Sequence, residues 1–189
     1  MPYRINSSYK NQFYHVYNRG NNRNNIFFEL KNYYYFLRNI KEKFYDGIEL
    51  IAYCLMPNHY HLVVRIKNDG ELEKAMQKIS TGYTRAINKA YQRTGHLFTG
   101  RYKNKLIPGD NYLIHLVRYI HLNPIRAGLV NKIEDWEFSS YNEYLNLRGS
   151  EVINTNILFE YFKTKMAFID FHNNFQEEQN HYVKDLLLY

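Results

Sequence analysis

The feature that most constrains the fold is a tight turn between two runs of strand-forming residues, directly followed by a histidine pair. Residues 48–55 and 60–67 are rich in β-branched and aliphatic side chains, which favour strands. The Met-Pro-Asn sequence at 56–58 predicts a turn, because proline fixes φ and asparagine tolerates turn geometry. Alternate residues of a strand point to the same face, so His59 and His61 would lie side by side. They could form half of a metal site, or a half-exposed pair on an ordinary strand.

Hydrophobic spacing and turn signals predict the remaining elements. The expected segments are a strand over 13–18, helices over 30–45 and 72–93, a strand or extended hairpin over 96–107, a helix from 110 and a short helix over 141–147. The helix from 110 is expected to end near Leu122, because Asn123 precedes Pro124 and residues before proline avoid the helical region. The order β-α-β-β-α-β-α predicts an α+β fold: a ferredoxin-like, split βαβ antiparallel sheet with helices on one face, followed by extra C-terminal helices.

The charge of the chain is unevenly distributed. Residues 1–149 carry 22 Lys and Arg against 12 Asp and Glu, whereas residues 150–189 carry 3 against 6. This predicts one domain over 1–149 that is basic, and that holds any catalytic site, and an acidic, helical C-terminal extension over 150–189, whose role the sequence leaves open. A basic body suits a ligand with a phosphate backbone.

Other sequence properties indicate a cytoplasmic setting without a membrane partner. Cys54 is the only cysteine, so no disulfide can form within the chain. The N-terminus lacks the apolar run of a signal peptide. No stretch approaches the roughly 18 uninterrupted apolar residues that a membrane span requires.

The helix that starts at Asp110 carries the second group of candidate functional residues. Tyr119 and Asn123 are four residues apart and therefore share a face of the helix. One helix could thus deliver both a hydroxyl nucleophile and an amide oxygen ligand, with His115 one turn earlier on the same face. In the alternative interpretation this is an ordinary amphipathic helix, and Tyr119 caps the core.

The most basic part of the chain lies between these two groups. Residues 80–109 contain no acidic residue. Three cations spaced four apart form a stripe on the second helix, and three alternating cations form one face of the next strand: Arg85, Lys89 and Arg93, then Arg101, Lys103 and Lys105. A surface with charges of one sign favours polyanion binding over a merely solvated face. The aromatic residues interleaved with these cations could stack on unpaired bases.

Several segments, in the same order along the chain, resemble a known family. The His59-Tyr-His61 motif after Met-Pro-Asn resembles the HUH motif of the single-strand-DNA tyrosine transposases of the insertion-sequence-200 type, and the REP-associated tyrosine transposases are the closer match. The other matching segments are YHVYNRGN at 14–21, GHLFTGRYK at 95–103, RYIHLNPIRAG at 118–128 and WEFSSY at 136–141. The resemblance covers roughly residues 13–145.

The resemblance implies a ferredoxin-like fold and metal-assisted cleavage of single-stranded DNA, usually in hairpins such as REP hairpins, through a 5′-phosphotyrosine intermediate. Carried over to this sequence, it makes His59 and His61 metal ligands and Tyr119 the catalytic nucleophile. Asn123 would be the third ligand, where related branches carry glutamine. The implied cofactor is a divalent cation, Mg²⁺ or Mn²⁺.

The remaining expectations concern DNA contacts, proton transfer and assembly. Tyr112 is the reserve nucleophile, and His115 is a hypothetical general base for Tyr119. A monomer and a homodimer, with tyrosine acting in its own subunit or in the partner, both stay open. The residues expected to contact DNA are Arg19, Arg85, Lys89, Arg93, Arg101, Lys103, Lys105, Arg118 and Arg126.

Three other functions compete with this interpretation. The chain could be a non-catalytic module that binds single-stranded nucleic acid with basic and aromatic side chains. It could be a relaxase or replication-initiator nuclease, which uses similar HUH chemistry. A structural zinc site formed by Cys54, His59 and His61 fits poorly, since three ligands do not complete a tetrahedral site.

Overall fold

The sequence folds around one antiparallel sheet; the structure, a computed structural model, describes residues 8–149 and 152–175. The strands are β1 (Phe13–Arg19), β2 (Ile48–Met56), β3 (His59–Ile66) and β4 (Lys103–Leu106), in the spatial order β2-β3-β1-β4. The helices are α1 (Leu30–Phe44), α2 (Glu71–Ala90), α3 (Asp110–Arg126), α4 (Tyr141–Tyr144), α5 (Asn156–Phe162) and α6 (Lys165–Asn173). This strand order is that of a ferredoxin-like split βαβ sheet, so the predicted fold class is confirmed.

The two faces of the sheet pack against different helices. On one face Tyr60 of β3 contacts Phe36 of α1, which in turn contacts Tyr83 of α2, with ring centroids 5.0 Å apart in both pairs. On the other face the ring centroid of His61 lies 6.3 Å from that of Tyr119 on α3. The helices α1 and α2 therefore cover one face, as expected for the split βαβ unit, whereas α3 covers the opposite face.

Helix α3 continues past the point where proline was expected to end it. It runs to Arg126 with Pro124 inside its last turn, four residues beyond Leu122. Proline removes only its own N–H from the helical ladder, and the backbone N–H that follows the helix donates to the Asn123 carbonyl at 2.9 Å. Asn123 and Pro124 at the start of this turn are buried, which favours the helix over an exposed turn. Asn123 therefore lies within the helix, on the same face as Tyr119.

The strand expected over 96–107 is much shorter than predicted. Only β4 at its end pairs with β1. Leu97 and Phe98 are both buried, although alternation on a half-buried strand would expose one of them. This part of the chain instead wraps around the end of β1, where the Thr99 N–H donates to the Arg19 carbonyl at 3.0 Å.

A short extended segment protects the outer edge of β2. The Leu55 N–H donates to the Phe138 carbonyl at 2.8 Å, and the Ser140 N–H donates to the Tyr53 carbonyl at 3.0 Å. The Trp136 indole N–H also donates to the Leu55 carbonyl, at 3.1 Å. Backbone groups that a sheet edge would leave unpaired are thereby satisfied.

A buried chain of hydrogen bonds joins this segment to α3 and α6. The His172 Nδ1–H donates to the Phe168 carbonyl at 2.8 Å, because a carbonyl can only accept. Its Nε2 must then accept from His121 Nδ1–H, at 3.0 Å. The His121 Nε2 in turn accepts from the Ser140 hydroxyl at 2.8 Å. We call these three side chains the His121 relay; its proton positions are all determined by the Phe168 carbonyl.

The described part of the acidic extension packs on the rest of the protein. Residues 152–175 include α5 and α6, and Leu158 and Phe168 are fully buried in the common core. The domain boundary predicted at residue 149 stays a prediction, and residues 150–151 and 176–189 lie outside the described residues. Across the described ranges, every helix is too short or too polar to cross a membrane.

The His121 relay makes the fold sensitive to acid. Burial lowers the pKa of His172 to about 3 and the pKa of His121 well below its usual value of 6.5. The folded state thus binds fewer protons, so stability is greatest above pH 6.5 and falls as the pH drops towards 3, by about 1.4 kcal/mol per pH unit for each histidine.

We expect His172→Phe to be less stable than the wild type near neutral pH by about 1–3 kcal/mol, since His121 Nδ1–H loses its acceptor. The same variant should lose less stability on acidification, because one of the two histidines is gone. Urea unfolding at several pH values measures both effects. His96→Phe, at an exposed histidine, is the control; equal pH slopes in all three proteins would contradict the role of the relay.

Candidate functional site

The two histidines of the HxH motif lie side by side on the sheet face that α3 covers. Their ring centroids are 5.1 Å apart and the rings are nearly perpendicular. In the antiparallel pairing of β1 with β3, His59 stands opposite Arg19 and His61 stands opposite Tyr17. The turn before β3 thus delivers both imidazoles from one rigid strand end.

The proton of His59 is fixed by the preceding asparagine. His59 Nδ1 lies 2.6 Å from Asn58 Oδ1, while Asn58 Nδ2 donates to the Arg23 carbonyl at 3.2 Å. The second bond orients the amide, so its oxygen faces the ring. An amide oxygen only accepts, and His59 Nδ1 therefore carries the proton. The Nε2 lone pair of His59 is left available to a ligand.

A third histidine, which the sequence analysis did not single out, supports His61. The Nε2 of His15 on β1 lies 2.8 Å from His61 Nδ1, and the two rings stack at an interplanar angle of 10°. Both rings are buried. The signal that could have found His15 is the face alternation of the first strand, but using it requires knowing that β1 pairs with β3 and in which register.

Burial keeps all three imidazoles neutral. It lowers the pKa of His15 to about 3, with the Lys105 charge adding to the effect, and the pKa of His59 to about 4, with Arg19 adding. Burial also holds the pKa of His61 well below its usual value, and the neighbouring imidazoles lower it further. Neutral imidazole is the form that binds a metal ion, because its unprotonated nitrogen carries a lone pair.

Helix α3 places the ring of Tyr119 beside this histidine group. The Tyr119 ring stands perpendicular to the His61 ring, and the residue is only 8% exposed. The Arg126 guanidinium lies 4.7 Å from the centre of the Tyr119 ring and 4.6 Å from that of Phe175. A positive charge is therefore held beside the phenol. The geometry brings together the imidazoles and the tyrosine that the sequence analysis assigned to one site.

The imidazole nitrogens of His59 and His61 and the amide oxygen of Asn123, one turn beyond Tyr119 on α3, are neutral donors of kinds that bind divalent cations. Asn123 is 8% exposed, and its buried Nδ2 has no hydrogen-bond partner, so its amide is not fully used inside the protein. Within the described ranges, no three His, Cys, Asp or Glu side chains converge on a point, which leaves the structural zinc alternative without support. Burial also raises the pKa of the Cys54 thiol, which disfavours the thiolate that zinc requires.

The cations expected to contact DNA divide between the two sides of the sheet. Lys103 and Lys105 on β4 stand opposite Tyr17 and His15, and therefore lie on the face of the histidines. Arg19, opposite His59, lies on that face too. Four other cations lie on the opposite side of the sheet. Arg85 and Arg101 line a groove of about 810 Å³ between α2 and residues 96–102. Lys89 is exposed, and the guanidinium of Arg93 covers the Phe28 ring.

Arg118 is held inside the protein rather than presented at the surface. It is 2% exposed, and its Nη1 donates to the Phe171 carbonyl at 3.0 Å. Its Nη2 donates to His115 Nδ1 at 2.8 Å, which turns the hypothetical general base towards α6. The guanidinium also stacks 4.1 Å from the Phe171 ring centre. Tyr112, the reserve nucleophile, is half-buried.

We expect Arg118→Ala to destabilise the fold by about 3 kcal/mol, because a buried carbonyl loses its charged donor and the stacking is lost. Arg85→Ala makes the same change at an exposed helical site and should stay within about 0.5 kcal/mol of the wild type. Urea unfolding compares the two. Equal stability of both variants would show that the contacts of Arg118 with α6 contribute little.

Comparisons with known proteins identify relatives of this chain. Residues 8–123 match the family described as "Transposase IS200 like". A REP-associated tyrosine transposase of Haemophilus influenzae is 28% identical over 104 residues, which cover 50% of this chain and 59% of that protein. The REP-associated tyrosine transposase of Escherichia coli is 25% identical over 104 residues, which cover 54% of this chain and 60% of that protein. The chain thus spans about three fifths of the length of these curated relatives.

A solved structure shows the same fold. It is described as a REP-associated tyrosine transposase bound to a REP hairpin, and it matches with a TM-score of 0.63 over 77% of this chain and 86% of that chain. The sequence identity is 23%, so this likeness bears on the fold alone.

Proposed function

The chain belongs to the IS200-like transposases, a family of DNA-cleaving enzymes, and from this premise we propose that it cleaves and rejoins single-stranded DNA through Tyr119. The observation that carries the proposal is the perpendicular approach of the Tyr119 ring to His61, 6.3 Å between centroids, on a sheet face edged by cations. A phenol, neutral imidazoles and positive charge at one place suit attack on a phosphodiester.

In the proposed reaction the Tyr119 oxygen bonds to phosphorus and the P–O3′ bond breaks. The phenol proton passes to solvent, and the departing 3′ oxygen takes up a proton. The product is a 5′-phosphotyrosine with a free 3′-hydroxyl. Because the covalent intermediate conserves the energy of the phosphodiester, the 3′-hydroxyl of another end can reverse the step without ATP.

The chain's own groups would prepare this step in two ways. Tyrosine has an unperturbed pKa near 10, so its hydroxyl needs help to act as a nucleophile near neutral pH. Arg126 beside the phenol, and Arg19 beside His59, would offset the negative charge of the bound phosphate. Mg²⁺ or Mn²⁺ held by His59, His61 and Asn123 would polarise a non-bridging phosphate oxygen.

The proposed substrate is a DNA hairpin with an adjoining single-stranded segment. The two curated relatives are named REP-associated transposases, and the solved structure contains a REP hairpin. The basic face formed by Arg19, Lys103 and Lys105 would contact its backbone close to the scissile phosphate.

We expect Tyr119→Phe to abolish the covalent protein–DNA adduct while leaving hairpin affinity nearly unchanged, since the variant lacks only the nucleophilic oxygen. A labelled hairpin with Mn²⁺ and denaturing electrophoresis detect the adduct, and a filter or gel-shift assay gives the affinity. Tyr112→Phe on the same helix is the matched control and should keep the adduct. An adduct that persists in Tyr119→Phe, or is lost in Tyr112→Phe, would reassign the nucleophile; no nicking by the wild type would favour a binding module.

The double variant Lys103→Ala/Lys105→Ala tests the basic face. Each lost phosphate contact should reduce the slope of log affinity against log salt by roughly 0.7–0.9, so the variant should lose roughly 1.5. Lys31→Ala/Lys43→Ala, on the exposed side of α1, removes the same charge away from this face and serves as the control. Equal slopes for the two double variants would exclude a specific contact by β4.

A further inference from the structure

His15 has no part in the chemistry proposed so far, although its side chain lies within hydrogen-bond distance of His61. It has no exposed surface, so it cannot touch DNA. Its ring stacks on that of His61 with centroids 5.1 Å apart, and its Nε2 lies 2.8 Å from His61 Nδ1. Its only polar partner in the described residues is therefore a candidate metal ligand.

The two candidate imidazole ligands have chemically different partners. Asn58 Oδ1 can only accept, so it commits His59 to a proton on Nδ1 and a lone pair on Nε2. The partner of His61 is another imidazole, which can either accept from Nδ1–H or donate to Nδ1. Whether His61 Nε2 carries a proton or a lone pair therefore depends on His15.

We propose that His15 is a positioning residue for cation binding: it accepts the Nδ1–H of His61, and thereby leaves the His61 Nε2 lone pair to a divalent cation. This inference rests on the proposed function, which needs His61 as a ligand. A ligand histidine is ordinarily held in this way, with its second nitrogen donating to a fixed acceptor that sets ring orientation and raises ligand basicity.

The proposed arrangement has a cost at the other nitrogen of His15. When His15 Nε2 accepts, the proton of His15 must sit on Nδ1, and that atom is buried with no hydrogen-bond partner in the described residues. A buried unpaired N–H is unfavourable. Without a cation we therefore expect the reverse arrangement, in which His15 Nε2–H donates and the second proton of the pair sits on His61 Nε2.

Cation binding would then exchange the protons of the pair without changing their number. Each ring would change its tautomer and keep one proton, His61 from Nε2–H to Nδ1–H and His15 from Nε2–H to Nδ1–H. The proton between the rings moves from His15 Nε2 to His61 Nδ1. The His15–His61 pair stays neutral in both states. Cation binding would offset the free-energy cost of the unpaired His15 Nδ1–H. The tautomers of His15 and His61 thus depend on whether a cation is bound, whereas Asn58 fixes the tautomer of His59 in both states.

The test measures Mn²⁺ affinity of the full chain by electron paramagnetic resonance in wild type, His15→Phe, His15→Gln and His61→Ala. The phenyl ring keeps the stack but cannot accept, so His15→Phe should lose at least about tenfold in Mn²⁺ affinity. The Gln amide oxygen can accept, so His15→Gln should stay within about threefold of the wild type. Hairpin affinity in EDTA should be the same in the wild type, His15→Phe and His15→Gln, and thermal melting checks that all four proteins are folded.

Wild-type Mn²⁺ affinity in His15→Phe would overturn the proposal. Mn²⁺ binding that is unchanged in His61→Ala would overturn it too, because His61 would then not be a ligand. Formation of the Tyr119 adduct tests the cleavage chemistry separately. Long-range ¹H–¹⁵N spectra of the histidine rings need no variant at all. With Zn²⁺ as a diamagnetic cation, His61 should carry its proton on Nδ1, and without it on Nε2; a proton on Nε2 in both states would also overturn the role of His15.

Discussion

The pairing register of β1 with β3 is the constraint on which the site depends. It sets His61 opposite Tyr17 and His59 opposite Arg19. Because side chains alternate, a slip of one residue would turn both histidines into the apolar layer under α1 and α2 and bring Tyr60 to the other face. Tyr60 is fully buried against Phe36, so core packing fixes the pairing register of β1 with β3. That register in turn sets the positions of His59 and His61.

A second layer on the histidine face makes this placement rigid. Antiparallel sheets commonly leave one face to solvent, but here α3 covers it, and His15 and His61 are buried. The His121 relay and Arg118 in turn hold α3 in place through contacts with α6. The Arg118 guanidinium donates a hydrogen bond to the Phe171 carbonyl. Contacts of α3 that lie away from the histidines thus help to set the position of Tyr119, as expected when a site is built on packed elements.

Local patterns in the sequence predicted the parts of this arrangement that depend on periodicity. The strand pair around the turn, the spacing of Tyr119 from Asn123 and the order of the elements follow from alternation and helical repeats. What could not be predicted depends on which elements meet. His15 acquires a role only once β1 lies beside β3, and Arg118 looks like a surface cation until α6 packs over it. The helix continues through Pro124 because burial of Asn123 and Pro124 outweighs a local preference.

The charges around the site give a reason for its lack of acidic ligands. The side chains described there are either neutral imidazoles, an amide and a phenol, or cations such as Arg19 and Arg126. A divalent ion added to such a set is poorly compensated in a buried environment, where opposite charges must pair. A phosphodiester would supply the missing negative charge. Under the proposed function, cation and DNA therefore bind with positive coupling, each raising the affinity for the other by the same factor. A neutral donor set then makes occupancy of the site by the cation greater when the substrate is bound than when it is absent.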